Sequence, residues 1–311
     1  MKIIGYKDLK TAPSGSVAAI GFFDGVHLAH RKLLSDAREL ANSLGVPFGI
    51  LTFSSESNIK KGAPRLYSTE EKIRFFEESS ADFSVILDFE EICSLSPEEF
   101  VKDILVDGLN ASVAYVGYNF RFGKGALGNS PDLYAFMKKA GKDAVICSEV
   151  DFEGMPISAT LIRTLIESGE IERANALLGS PYFISGEVVQ GNGAGHDLGF
   201  PTVNTALASG KVIPKRGVYR SAVSVMGKLY NGVTNIGTCP TLGERETHAE
   251  TYIIDFSENV YGQNVVVYLL GYLREERMFG TAEELIMQIE VDKNKAIKKN
   301  GEEKWQELGL K

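Results

Sequence analysis

The sequence predicts an α/β domain built on a parallel sheet, followed by a mostly antiparallel β domain with a C-terminal helix. Its 311 residues exceed what one hydrophobic core usually organises. From Ser16 to about Leu178, apolar runs alternate with helical patterns, as strands joined by crossover helices do. Beyond Gly179-Ser180-Pro181 the pattern changes to short runs rich in Val, Tyr, Thr and Ile, separated by Gly-, Asn- and Pro-rich turns.

In the first half, Val17–Phe23 reads as a buried strand that ends at Asp24-Gly25. A helix from about His30 to Leu44 follows, with Leu33, Leu34, Ala37, Leu40, Ala41 and Leu44 on one face. Residues 47–53 form the second strand. Two capping boxes, Ser68-Thr69-Glu70-Glu71 and Ser96-Pro97-Glu98-Glu99, start further helices, with Pro97 suited to a first helical position. Strands at 83–87, 112–117 and 144–148 fit between and after them.

In the second half, strands are expected at 182–189, 217–225, 229–237, 251–256 and 265–273, arranged as a barrel or sandwich. A last helix starts at Thr281, boxed by Glu284, and runs towards Lys299. The change of pattern divides the chain into domains 1–181 and 182–311. No internal repeat or low-complexity segment is visible.

Hydrophobic and charged contents of 44% and 24% are those of an ordinary globular protein. A net charge of −8 disfavours a broad nucleic-acid role, which needs a basic surface. It leaves room for a small phosphorylated ligand, which needs only a few cations and backbone N–H groups. Cys93, Cys147 and Cys239 lack CxxC spacing, so neither a disulfide framework nor a structural zinc site is expected. Each reads as a small buried side chain or a tolerated substitution. The N-terminal residues lack a signal-peptide pattern and no apolar run is long enough to span a bilayer. No membrane role is expected, and the cytoplasm is the expected compartment.

Two segments carry chemistry. The first is Gly21-Phe22-Phe23-Asp24-Gly25-Val26-His27-Leu28-Ala29-His30, between a strand and a helix. A helix N-terminus at the carboxyl end of a parallel strand offers free N–H donors to phosphate. His27 and His30 can add donors to a triphosphate as a phosphoryl oxygen is displaced. Neither a Walker A motif nor GxGxxG occurs. For one His alone, a polar cap is the plainer account; the pair, among four His in the chain, sits where α/β sheets bind ligands.

The second is Gly191-Asn192-Gly193-Ala194-Gly195-His196-Asp197-Leu198-Gly199-Phe200-Pro201-Thr202-Val203-Asn204. Its glycines allow backbone N–H groups to wrap a phosphate, although most such loops are simple turns. Thr202 and Asn204 offer hard oxygen ligands two residues apart, which suits Mg²⁺ shared with substrate phosphates.

These segments resemble the bacterial bifunctional riboflavin kinase/FAD synthetase family over roughly residues 16 to 295. Gly21–His30 is similar to GxFDGxHxGH, the family's form of the nucleotidyltransferase HxGH signature, with Ala29 in place of the Gly of HxGH. Ile157-Ser158-Ala159-Thr160-Leu161-Ile162-Arg163 resembles ISSTxxR, with Ala159 at the second Ser, and Gly117–Gly125 resembles GxDFRFGKG. Thr52–Ser57 departs from TFxPHP and lacks its His. Gly191–Asn204 resembles the kinase signature GxxxGRxLGxPTxN, with His196 in place of Arg. Asn235–Thr241 matches NxGxxPT, and Leu273–Phe279 resembles LRxExxF.

The resemblance implies a nucleotidyltransferase-type, Rossmann-like first domain and a riboflavin kinase β-barrel. It implies ATP binding in the first by Gly21, Phe23, Asp24, His27, His30, Asn119, Ser158, Thr160 and Arg163, with His27 and His30 catalytic. In the second it implies ATP and flavin binding by Gly191, Gly195, Gly199, Pro201, Thr202, Asn204, Asn235, Arg274 and Phe279. Thr202 and Asn204 would hold Mg²⁺, and Glu250 would be the general base. The implied reactions are phosphorylation of riboflavin to FMN and adenylylation of FMN to FAD, with ATP as co-substrate. Ala29, Ala159 and the segment at 54–57 keep open a kinase with a weakened or repurposed adenylyltransferase half. A non-catalytic flavin-binding or regulatory protein is the reading of another class; the Thr202, Asn204 and Glu250 set speaks against it.

Overall fold

The computed structural model describes residues 1–54, 64–189, 199–238 and 247–302. Its backbone divides into two compact units, Met1–Ala159 and Thr160–Lys311.

In the first unit, β1 (Lys2–Ile4) precedes β2 (Val17–Ile20), and α1 (Leu28–Leu44) leads to β3 (Phe48–Phe53). The boxed helix α2 (Thr69–Glu78) leads to β4 (Phe83–Leu87). Short helices α3 (Phe89–Ile92) and α4 (Pro97–Glu99) and a π-helical turn at Phe100–Val106 come before β5 (Val113–Gly117). Both expected capping boxes form, at Ser68 with Glu71 and at Ser96 with Glu99. The hairpin β6 (Arg121–Phe122) and β7 (Gly128–Asn129) then precedes α5 (Ser130–Lys139) and β8 (Asp143–Cys147). A second hairpin, β9 (Asp151–Phe152) and β10 (Met155–Pro156), follows.

The six main strands form one parallel sheet in the order β1-β4-β3-β2-β5-β8. Its strands read as unbroken apolar runs because both faces are covered. Ala18, Ile20, Leu51 and Val85 join one core with Ile104 and Leu105, while Val17, Ala19, Phe48 and Ile50 join another with Leu33, Leu34 and Phe76. Strand β1, too short and too polar to stand out in the sequence, pairs with β4 from Lys2 opposite Phe83.

In the second unit, α6 (Ala159–Ser168) and α7 (Ile171–Leu178) precede β11 (Tyr182–Val189), β12 (Thr202–Ala206), β13 (Gly217–Val225) and β14 (Lys228–Thr238). Strands β15 (Thr247–Ile253) and β16 (Asn264–Arg274) and the long helix α8 (Ala282–Glu302) complete it. The strands close into a barrel, β11-β12-β15-β14-β13-β16, of antiparallel pairs, which resolves the barrel-or-sandwich choice. Boundaries differ from expectation in both units: the strand expected at Val17–Phe23 stops at Ile20, ahead of the turn at the left-handed Phe23. The strand placed at 251–256 begins at Thr247, and Thr202–Ala206, expected as part of a loop, is a strand.

Polar side chains lock this unit. A buried hydroxyl chain crosses three strands, Ser221 Oγ to Thr234 Oγ1 at 2.8 Å and Thr234 to Thr251 Oγ1 at 2.9 Å. Asn300 of α8 donates to the Ser221 carbonyl at 3.0 Å and to Asn231 Oδ1 at 2.9 Å. On α7, Asn175 donates to the Leu269 carbonyl and accepts from the Tyr182 N–H, both at 2.8 Å. Of the two readings of each cysteine, a buried side chain or a tolerated substitution, burial does not hold for Cys93, which is exposed, or fully for Cys147, which is partly buried; Cys239 lies outside the described residues.

Gly49, at the centre of the sheet, faces the ring of Phe83 so closely that a Cβ would overlap it. Gly49→Ala is expected to destabilise the first unit by about 1–3 kcal/mol through overpacking. Urea unfolding would read this; an unchanged midpoint would show that the Phe83 ring can swing aside.

Candidate functional site

In the sheet order, the chain proceeds from β2 to β3 on one side, while β5 lies on the other. Crossovers therefore diverge between β2 and β5, and the crevice beyond their carboxyl ends is where open α/β sheets bind ligands. A cavity of about 700 Å³ lies there, bounded by Gly21 to His30 after β2, Gly117 to Phe122 after β5, and Ile157 to Ala159. Gly21, Phe23, Asp24, His27, His30, Asn119 and Ser158 all line it, so the structure brings these sequence-nominated residues together. Ala29, in the first turn of α1, lines it too.

The turn after β2 is sharp. Phe23 has left-handed backbone angles (φ 52°, ψ 37°) and Gly25 has φ 81°. The Phe23 ring folds back over Gly21, where an added Cβ would lie 3.0 Å from it. Asp24 Oδ1 accepts the Leu66 N–H at 2.9 Å. His27 then caps α1 without a side-chain cap hydrogen bond, so the N–H groups of the first turn keep their capacity for an anion.

The His27 and His30 rings stack, with centroids 3.6 Å apart and planes at 16°. Phe23 meets His30 edge-on at 5.3 Å. Burial pushes the His27 imidazole down to about 4. His30 is also lowered well below 6.5, by burial first and then by His27 and Lys72. Both rings are therefore neutral near pH 7, each with one N–H to donate. The Nδ1 atom of each is buried without a hydrogen-bond partner among the described residues.

Two features in and beside this cavity go beyond the residues nominated from the sequence, although Phe120 and Phe122 fall within the Gly117–Gly125 motif. One is its apolar wall, Phe89, Ile92 and Cys93 around α3, with Phe120 and Phe122 stacked at 5.6 Å. The other is Lys72, fully buried on α2 with its ammonium at the ends of β2 and β3. A lysine in a helix reads as solvated; its spacing of four from Phe76 is the pattern that marks the buried face. Thr160 and Arg163 lie on α6 in the second unit, where Arg163 Nη2 donates to Thr160 Oγ1 at 3.1 Å.

The barrel carries a second constellation. Strand pairing sets Asn204 opposite Glu250 and Glu250 opposite Asn235, so the three share one face. The neighbouring row on the opposite face, Thr205, Ala249 and Ile236, is fully buried. Thr202, two residues before Asn204, donates its hydroxyl to Glu250 Oε1 at 2.8 Å. Asn235 Nδ2 donates to Glu276 Oε1 at 3.0 Å, beside Gly237, where a Cβ would collide with that carboxylate. Phe200, next to Pro201, meets Tyr252 edge-on at 5.2 Å. Gly199 adopts φ 82° just before this segment.

Arg274 donates to buried Asp292 of α8 at 2.8 Å and lies 5.8 Å from the centre of the Phe279 ring. Thr202, Asn204, Glu250 and Asn235 are thus gathered, with Arg274 and Phe279 at the end of β16. Gly191 and Gly195, with His196, lie outside the described residues, as do Ser55–Ser57 and Pro240-Thr241.

A family model described as FAD synthetase matches residues 9–161, and one described as riboflavin kinase matches residues 178–299. A bifunctional riboflavin kinase/FMN adenylyltransferase of Bacillus subtilis is 35% identical over 93% of this chain and 94% of its own length. The Escherichia coli K12 protein of the same description is 34% identical over 94% and 96%. A Streptococcus pneumoniae structure titled as a macrolide-efflux protein superposes with a TM-score of 0.84, at 28% identity over 94% of this chain and 98% of that one. Among the described residues here, no helix is long and apolar enough to cross a membrane.

The buried His27 has a consequence for stability. Between its folded value of about 4 and the ordinary 6.5, the unfolded chain holds a proton that the folded one lacks. Stability is therefore expected to fall as pH drops through this window, and to be free of this effect above it. Urea unfolding at pH 7 and pH 5 should show a smaller loss for His27→Gln than for the unmodified chain. Equal losses would mean that His27 protonates without penalty.

Proposed function

Since the chain belongs to the bifunctional riboflavin kinase/FMN adenylyltransferase family, we propose that the barrel site makes FMN and the His27–His30 cavity turns FMN into FAD. The chain's two reactions are ATP-dependent phosphorylation of riboflavin to FMN and adenylylation of FMN to FAD with release of pyrophosphate. We assign residues 1–181 to the adenylyltransferase domain and 182–311 to the kinase domain.

In the cavity, neutral His27 and His30 donate to the triphosphate of ATP, together with the N–H groups at the start of α1. The FMN phosphate oxygen attacks the α-phosphorus, and the bond to the β-phosphate oxygen breaks. Negative charge grows on the departing pyrophosphate beside two imidazoles, which favours their protonated forms. Gly21, Phe23 and Asp24 hold the turn, and Asn119 and Ser158 face it from other walls; Thr160 and Arg163 are assigned to ATP binding on their motif alone. The apolar wall around Phe89, Ile92 and Phe120 suits a flavin ring.

In the barrel, Glu250 accepts the proton of the riboflavin 5′-hydroxyl as that oxygen attacks the γ-phosphorus and ADP departs. Thr202, Asn204 and the Glu250 carboxylate place hard oxygen atoms side by side, a donor set that fits Mg²⁺. Thr202 and Asn204 would hold that ion, which supplies charge neutralisation at the substrate phosphates. The Thr202–Glu250 hydrogen bond is the observation that carries this reading: it orients the base on the strand face that presents the metal ligands. Gly191, Gly195, Gly199 and Pro201 are assigned to the ATP-binding segment, in which the glycine N–H groups would donate to phosphate. Asn235, Arg274 and Phe279 are assigned to the ATP and flavin pocket.

Chromatographic flavin assays with Mg–ATP, started separately from riboflavin and from FMN, test the pair of sites. Glu250→Ala is expected to lower FMN formation by about 10²–10⁴-fold, the range of a lost general base, with conversion of FMN to FAD retained. His27→Ala is expected to do the reverse. Equal loss of both steps in either folded variant would sink the two-site assignment.

A further inference from the structure

The turn that presents the two histidines is secured from beneath by a buried cation. Lys72 Nζ donates to the Phe53 carbonyl at 2.9 Å and the Phe22 carbonyl at 3.1 Å, and reaches Thr52 Oγ1 at 3.4 Å. Thr52 Oγ1 also donates to the Phe22 carbonyl at 3.1 Å, and the ammonium lies 4.7 Å from the centre of the Phe22 ring. Phe22 and Phe53 are where the chain leaves β2 and completes β3. Buried peptide carbonyls there need a donor, and a charged donor makes a stronger bond than a neutral one.

One turn further along α2, Phe76 meets the Phe23 ring edge-on at 5.8 Å. A single face of α2 therefore grips consecutive residues of the turn, Lys72 by the backbone of Phe22 and Phe76 by the side chain of Phe23. Phe23 carries the left-handed backbone that sends the chain into His27, and its ring braces His30. The grip is transmitted to the imidazole pair through two contacts.

We propose that Lys72 is a positioning residue for adenylyl transfer, fixing the Phe22-Phe23 turn from which His27 and His30 meet the nucleotide. The proposal rests on the assignment of the His27–His30 cavity to that step. Lys72 reaches no reacting atom; it acts through the turn and through its charge. The titratable groups that bear on His30 are His27, from the start of α1, and Lys72, from α2, and each opposes its protonation in addition to burial. Asp24, in the same turn, directs Oδ1 to the Leu66 N–H. Burial first, then His27, then Lys72 favour the neutral form of His30, so Lys72 adds to that bias, and a proton taken up there would accompany the arrival of the polyphosphate charge.

The test compares Lys72→Met and Lys72→Arg with the unmodified full-length chain, in separate assays from riboflavin and from FMN, alongside NMR titration of the His30 ring. For Lys72→Met, kcat for FMN to FAD is expected to fall about 100-fold, the scale of a small misplacement of catalytic groups. Its rate of FMN formation from riboflavin should be unchanged, and the His30 titration should move upward. For Lys72→Arg, charge returns without the geometry of an ammonium: the His30 titration should stay low while kcat recovers only in part. A merely structural lysine would lower thermal stability and leave the His30 titration where it was. Lys72→Met that is folded, makes FAD at the unmodified rate and leaves His30 unmoved would overturn the proposal. Should that variant fail to fold, unmodified kcat in Lys72→Arg overturns it instead. Absence of FAD formation by the unmodified chain would strike at the cavity's assignment rather than at Lys72.

Discussion

A parallel sheet with helices on both faces leaves a crevice wherever successive crossovers part, and here they part between β2 and β5. The chain leaving β2 has only the residues from Gly21 to His27 in which to turn before α1 begins. That constraint accounts for the left-handed Phe23, the small Gly21 under its ring and the positive φ of Gly25. Strain of this kind persists only where the surroundings over-determine it. The surroundings here are a fully packed Phe23, a carboxylate tied to the Leu66 N–H and a buried lysine at the preceding carbonyl.

The barrel reaches its constellation by another route. A strand pair in register aligns side chains on one face, and a slip of one residue would exchange that face for the other. Thr205, Ala249 and Ile236 are fully buried, so the register of β12, β15 and β14 is set by packing. Asn204, Glu250 and Asn235 follow on the opposite side as its consequence. The geometry of the polar row is thus held by apolar neighbours that take no part in the chemistry.

Much of this was legible in the sequence, and the rest was not for identifiable reasons. The doubly covered strands were visible as unbroken apolar runs, and the boxes at Ser68 and Ser96 located their helices because that motif is a local reciprocal hydrogen-bond pattern. Strand β1 spans Lys2–Ile4, too short for any period, and pairs with a strand distant in sequence. Strand β12, Thr-Val-Asn-Thr-Ala, follows a Gly-rich segment and lacks an apolar run, so its sequence reads as loop even though Thr202 and Asn204 stand out by their chemistry. At the cavity, His27, His30, Asn119 and Ser158 were found through motifs. Lys72 was not, because the value of a buried lysine depends on which carbonyls lie beneath its helix, and those come from two other strands.

Closure of the barrel also bears on how the protein is made. The seam is the pairing of β11 with β16, in which Tyr182 lies opposite Leu269, and β13 needs the same late strand on its other flank. Until β16 has been synthesised, β11 and β13 each lack a neighbour. Unpaired edges recruit other chains, and pairings between distant segments form slowly because loop closure comes first. The parallel sheet, by contrast, has all its strands once Cys147 has emerged. During translation, the first unit is therefore free to mature early, while the second passes through an interval of exposed strand edges. That interval makes the half-made barrel a natural client for chaperones and gives premature termination within β16 a severe outcome.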